Sequence, residues 1–148
     1  MAIETPATGQ DPFGDLSDWG RVLEILEEMT ADSQLDMCQP GLVRILRYKG
    51  NWRLREEVLK RMGGIEAPST ELIDQTLRVL ADDNIYYDAR VLAANALMQM
   101  LGRVQNGLDR NINLLVRQAT ARLRTTPQPL AFDNALKKLH SEAGLLAA

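Results

Sequence analysis

Between residues 44 and 61 the chain concentrates Arg44, Arg47, Tyr48, Lys49, Trp52, Arg53, Arg55, Lys60 and Arg61. That is seven positive charges and two aromatic rings in eighteen residues, relieved only by Glu56 and Glu57. Arginine presents a planar fork of donors that pairs with carboxylates and stacks on aromatic faces, and tryptophan offers a large rigid apolar surface. These are the residue types that dominate protein-binding hot spots. Arg44 and Arg47 stand three apart, so a helix places them on one face. Tyr86 and Tyr87 can extend the same surface. The expected chemistry is recognition of another protein through an acidic segment, with Arg44, Arg47, Tyr48, Trp52, Arg53, Tyr86 and Tyr87 as the partner-binding residues. The competing reading makes this an ordinary solvated face with Trp52 packed into the core.

Residues able to do covalent chemistry are sparse. The single histidine, His140, stands beside Lys137 and Lys138 and reads as solvent-exposed. Metal sites need several His, Cys or carboxylate ligands converging, and one His with one distant Cys does not supply them. Cys38 has no basic neighbour to lower its pKa, which speaks against a reactive thiolate. Met62-Gly63-Gly64-Ile65 lacks the lysine and the preceding strand of a phosphate-binding loop. The carboxylate pairs Glu27-Glu28, Glu56-Glu57 and Asp82-Asp83 fall on solvent faces or in a turn, away from general acid–base work. The expectation is a non-catalytic protein with no cofactor, no metal and no small-molecule substrate.

The elements that would hold the basic and aromatic residues are helices. Leu54-Arg55-x-x-Val58-x-x-x-Met62-Gly63 returns 35 positions later as Ala89-Arg90-x-x-Ala93-x-x-x-Leu97-Met98, and Leu77 and Leu80 then fall on Ile112 and Leu115. A fixed period of this size marks stacked helical units. A fainter echo sets Trp19, Ile25, Leu26 and Met29 thirty-three positions before Trp52, Val58, Leu59 and Met62. Apolar spacing predicts a helix from Asp15 or Ser17, with Trp19, Val22, Leu23, Ile25, Leu26 and Met29 as its buried stripe. Further helices are expected at about 40–48, 51–62, 69–81, 85–101, 108–123 and 130–142, the last burying Leu130, Leu136 and Leu139. Ser69 is the expected N-cap of its helix. The helix at 51–62 is expected to pair with 69–81, and 85–101 with 108–123. Residues 143–148 are expected to fray.

Composition supports this. The 148 residues are 45% hydrophobic but only 5% aromatic, so the core is aliphatic and favours helices over sheet. Residues 1–14 carry little to bury and read as a flexible acidic N-terminal arm; 15–146 read as one domain. No apolar run is long enough for a membrane span, the N-terminus lacks the pattern of a signal peptide, and a lone cysteine suits a reducing, cytoplasmic setting. The net charge of −3 hides an asymmetry: residues 1–40 hold nine acidic side chains against Arg21 alone, while 41–148 hold sixteen basic and eleven acidic ones. The basic body keeps nucleic-acid binding as the alternative function, against which the overall acidity argues.

At Leu54-Arg55-x-x-Val58, Asp88-Ala89-Arg90-x-x-Ala93 and Leu80-Ala81-Asp82-Asp83 the chain resembles the HEAT-repeat (armadillo-like α-solenoid) family. The resemblance covers about residues 50–123. It departs from the family pattern where Met98 replaces the glycine that closes the first helix. It implies an all-α fold: a short right-handed solenoid of about three helix hairpins plus a C-terminal capping helix, with an irregular bundle as the competing arrangement. The array would act as a binding platform, an adaptor or scaffold. Each hairpin cannot bury its apolar stripe alone, so neighbours must stack. Arg55 and Arg90 are expected to be structural, each bonding an acid of the adjacent repeat drawn from Asp74, Asp82, Asp83, Asp88 and Asp109.

Overall fold

The computed structural model describes residues 10–103 and 108–147, and the described residues contain no strand. Seven α-helices follow one another: α1 (Trp19–Ala31), α2 (Gln39–Arg47), α3 (Trp52–Lys60), α4 (Thr70–Ala81), α5 (Tyr87–Leu101), α6 (Leu108–Leu123) and α7 (Leu130–Ala147). Single 3-10 turns lie at Leu35–Cys38 and Met62–Gly64. Among the described residues the protein is all-helical, in keeping with its aliphatic composition.

Side chains fix several helix starts. Asn51 accepts from the Arg53 amide at 2.9 Å and opens α3; Ser69 Oγ accepts from the Leu72 amide at 3.1 Å and opens α4. At α1 the expectation fails. Asp15 Oδ1 takes both the amide and the hydroxyl of Ser17, at 2.9 and 2.8 Å, so these two residues satisfy each other and the helix starts later, after Asp18. The last helix also differs, continuing to Ala147 with Ala143 fully buried.

Packing couples α2 to α3, α4 to α5 and α6 to α7, while α2–α4–α6 and α1–α3–α5–α7 are successive neighbours in two rows. The expected pairings of α3 with α4 and of α5 with α6 are not the close ones. Connector length accounts for the first two hairpins. Residues 48–51 and 82–86 are the shortest links and force reversal into an antiparallel partner, whereas 102–107 and 124–129 are equally long and do not by themselves select α6–α7. The longer 61–69 segment instead crosses the molecule, stapled to the start of α2. Asp36 accepts the Glu66 and Ala67 amides at 3.0 and 2.8 Å, and the Gln39 side chain bridges the Ala67 carbonyl and the Ser69 amide at 2.9 and 2.7 Å. The helix left without a hairpin partner is therefore α1, not α7.

The core is aliphatic, with Phe13 and Phe132 as its only fully buried aromatics. Helix α5 lies against α3, α4 and α7, so its apolar residues run around the helix and not along one stripe. Ala89, Ala93, Ala94 and Ala96 are buried there, where small side chains let the neighbours come close. Two residues assigned to buried stripes are in fact outside: Trp19 is 47% exposed and Leu130 76%. Each is the first residue of its helix, where one side chain overhangs the end of the row before the packed stripe begins.

Residues 10–14, assigned by sequence to the flexible arm, are instead docked as a strap on α2; residues 1–9 lie outside the described residues. Phe13 is buried, the Gln10 amide donates to the Met37 carbonyl at 2.6 Å, and the Gly41 amide donates to the Gln10 carbonyl at 3.3 Å. Arg44 clasps the strap from outside: its Nε and Nη2 donate to Asp11 at 2.5 and 2.9 Å, and Nη2 also to the Gly14 carbonyl at 2.8 Å. The Arg44 hydrogen bonds hold the Asp11 carboxyl below the ordinary aspartate value of 3.8. A depressed folded pKa adds stability above the unfolded value and withdraws it as pH falls. Acidification through 3.8 and below is therefore expected to loosen the strap, seen as a titration of the Gln10 and Gly41 amide shifts. The same titration persisting unchanged in Arg44→Met would exclude the clasp as its cause.

Candidate protein-binding edge

Because the connectors inside the three hairpins lie at the same end, that edge gathers the starts of α3, α5 and α7. Trp52 is the first residue of α3, Tyr86 precedes α5 and Tyr87 is its first residue. The Trp52 and Tyr86 rings meet edge to face with centroids 5.1 Å apart, and Tyr87 leans on Phe132 of α7 at 5.5 Å. The Trp52, Tyr86 and Tyr87 side chains remain 36–42% exposed. Trp52 is thus not packed into the core, and the aromatic surface is continuous from α3 to α5.

One turn into each of these helices stands a buried arginine. Arg55 holds its guanidinium 4.8 Å above the Trp52 ring; Arg90 lies 5.2 Å from Tyr87 and 4.6 Å from Phe132. The repeated unit is an aromatic at the first helical position and an arginine three residues on, in Trp52-x-x-Arg55 and Tyr87-x-x-Arg90. The two arginines are 3% and 2% exposed. Arg90 is anchored by Nε donating to the Leu80 carbonyl at 2.9 Å, with Asp83 at 3.4 Å from Nη2. Its chief acceptor is a backbone carbonyl of α4, the helix it pairs with, because the end of a helix leaves such carbonyls without a partner. Arg55 has no comparable acceptor: its Nε is buried and unbonded, and burial lowers its pKa against an opposing pull from Asp82. The side chain of Asp109 lies outside the described residues.

The remaining sequence-assigned residues spread to either side. Arg47 lies on the edge, reaching α4 by donating from Nε to Gln75 Oε1 at 2.8 Å. Tyr48 is half-buried, folded over Gly50, where a Cβ would collide with its ring. Arg44 is engaged by the strap. Arg53 faces away toward α1, beside a cleft that includes Glu24 and Glu27. The edge therefore unites Arg47, Trp52, Tyr86 and Tyr87, and leaves Arg44 and Arg53 on flanking surfaces. Trp19 and Leu130, first residues of α1 and α7, continue the exposed apolar series at its two ends; their place opening a helix, like Trp52 and Tyr87, was the signal that could have found them.

Elsewhere, His140 is half-buried and not solvent-exposed, its Nδ1 lying 2.7 Å from Thr120 Oγ1. Cys38 is buried, donates to the Gln34 carbonyl at 3.3 Å, and has its thiol pKa pushed up by burial. Among the described residues no group of three or more His, Cys, Asp or Glu converges. No described helix is long and apolar enough to cross a membrane. Compared with family models, curated proteins and solved structures, the chain finds no match in any of the three.

Proposed function

We propose that the chain is a short HEAT-like solenoid serving as a non-catalytic protein-interaction module, which takes an acidic segment of a partner along the edge formed by Arg47, Trp52, Tyr86 and Tyr87. The observation that carries this reading is the exposed Trp52–Tyr86 pair, bridging two hairpins beside arginine. Large half-exposed aromatics set among cations are the ordinary anchors of protein interfaces. The two helix rows and the repeated aromatic–arginine unit support the solenoid reading, with three hairpins closed by α1 at the N-terminal end. The lone, buried Cys38 suits a reducing cytoplasm.

Arg47→Glu with Trp52→Ala is expected to abolish capture of a protein partner from cell extract while helicity by circular dichroism is unchanged, since both side chains are largely outside the core. Undiminished capture removes the edge as the binding surface. Duplex DNA of random sequence is expected to show no binding at low salt; tight binding that falls steeply with added salt would transfer the reading to nucleic acid.

A further inference from the structure

Between the α2–α3 and α4–α5 hairpins, next to the aromatic pair, opens a cleft of about 250 Å³. Its polar lining is Arg47, Lys49, Arg55, Gln75, Arg78 and Asp82. The ion pairing of these groups is uneven. Arg78 is neutralised on its own helix, with Nε 2.9 Å from Asp74. Arg47, Lys49 and Arg55 have no carboxylate within ion-pair distance among the described residues. Asp82 returns one negative charge to the same cleft, leaving an excess of two positive charges. The Gln75 oxygen turns the Arg47 guanidinium across the opening, and the Trp52 ring fixes the Arg55 guanidinium at the wall. Arg55 is also the one side chain here that is almost wholly buried with a donor left unbonded. Buried donors without acceptors are rare, because each costs its full desolvation. The contrast with Arg90, whose equivalent nitrogen is satisfied by a carbonyl, leaves Arg55 as the arginine of the pair without an acceptor for its Nε, and Arg55 is the one of the two that lines this cleft.

We infer that this cleft is a binding site for a doubly charged oxyanion, a phosphate monoester carried on the partner's acidic segment, gripped by Arg47, Lys49 and Arg55. This rests on the interaction-module reading and adds the chemistry at its centre. A dianion matches the excess charge of the lining, and guanidinium groups grip phosphate oxygens through paired charge-assisted hydrogen bonds. The cleft has room for such a group. The adjacent Trp52 and Tyr86 would then receive the apolar residues beside the phosphorylated one.

The test is an NMR titration of the ¹⁵N-labelled full chain with sodium phosphate at pH 7.5, against sodium chloride at equal ionic strength. The Arg55 Nε–H and Trp52 indole signals are read, the latter assigned with Trp19→Phe. Saturable shifts confined to phosphate are expected, with affinity reduced about tenfold in Arg47→Ala with Lys49→Ala. Both replaced side chains are exposed, so the variant keeps the fold. Shifts that never saturate, or that survive unchanged in the double variant, overturn the site. In a second arm, an acidic peptide containing phosphoserine is expected to bind about tenfold more tightly than its serine counterpart. Equal binding of the two overturns the phosphate assignment in favour of carboxylates. Inorganic phosphate needs no partner, so the outcomes separate. Failure here with Trp52-dependent capture retained defeats the cleft alone, and phosphate binding with capture unaffected by Trp52 defeats the partner reading alone.

Discussion

Arg90→Ala is expected to cost about 3–5 kcal/mol of folding stability, read from the midpoint of urea unfolding. The side chain is among the largest fully buried ones in the molecule, held between the Tyr87 and Phe132 rings with Nε on the Leu80 carbonyl. Truncation leaves a cavity where α4, α5 and α7 meet and strips the carbonyl of its donor, and the two losses add. Arg90→Met keeps much of the packing and should recover a good part of the loss. Arg55→Met provides the contrast. Its nitrogen is unsatisfied in the wild type, so removing the charge relieves a desolvation cost and stability should stay within about 1 kcal/mol of wild type. Equal losses from Arg55→Met and Arg90→Met would show that the two arginines, alike in sequence, are also alike in energetic role.

The second large effect is expected at Gly41. A Cβ there would stand 2.6 Å from two carbons of the Phe13 ring and 2.9 Å from Asp11 Oδ1, closer than any side chain tolerates. Phe13 is fully buried and cannot swing aside without leaving its pocket. Gly41→Val should therefore eject the strap, at about 2–3 kcal/mol for the exposed ring alone. Proteolysis within residues 10–16 should become fast while α3 to α7 stay protected from hydrogen exchange. A strap that remains protected in Gly41→Val would mean that Phe13 has a second place to go.

Much of the helical framework is legible from spacing alone, because apolar residues recurring at three and four leave few other ways to bury them. The expected 85–101, 108–123 and 69–81 segments lie within two residues of α5, α6 and α4. The pairing of helices was less legible. The 35-residue period is the same whichever neighbour closes a hairpin, so the repeat cannot set the phase; the tight 48–51 and 82–86 links set it for the first two hairpins, while 102–107 and 124–129 are equal in length. The arm was misassigned because Asp11, Pro12 and Gly14 look like solvent-loving residues, whereas one phenylalanine and one ion pair across 33 positions are enough to dock them. At the edge, residue type identified Trp52, Tyr86 and Tyr87 but also swept in Arg44. Local spacing cannot reveal that Arg44 faces the strap's carboxylate, since that contact is made by tertiary folding.

Cys38, the chain's single thiol, is sealed beneath the corner where the strap crosses α2, and its raised pKa keeps the nucleophilic form scarce. Alkylation from solvent must then wait for that corner to lift, so its rate in otherwise native buffer clocks spontaneous opening events at the N-terminal side. The molecule thereby carries a stopwatch for its own breathing. Gly41→Val should make it run fast, and a change confined to the far α6–α7 hairpin should leave it keeping the same time.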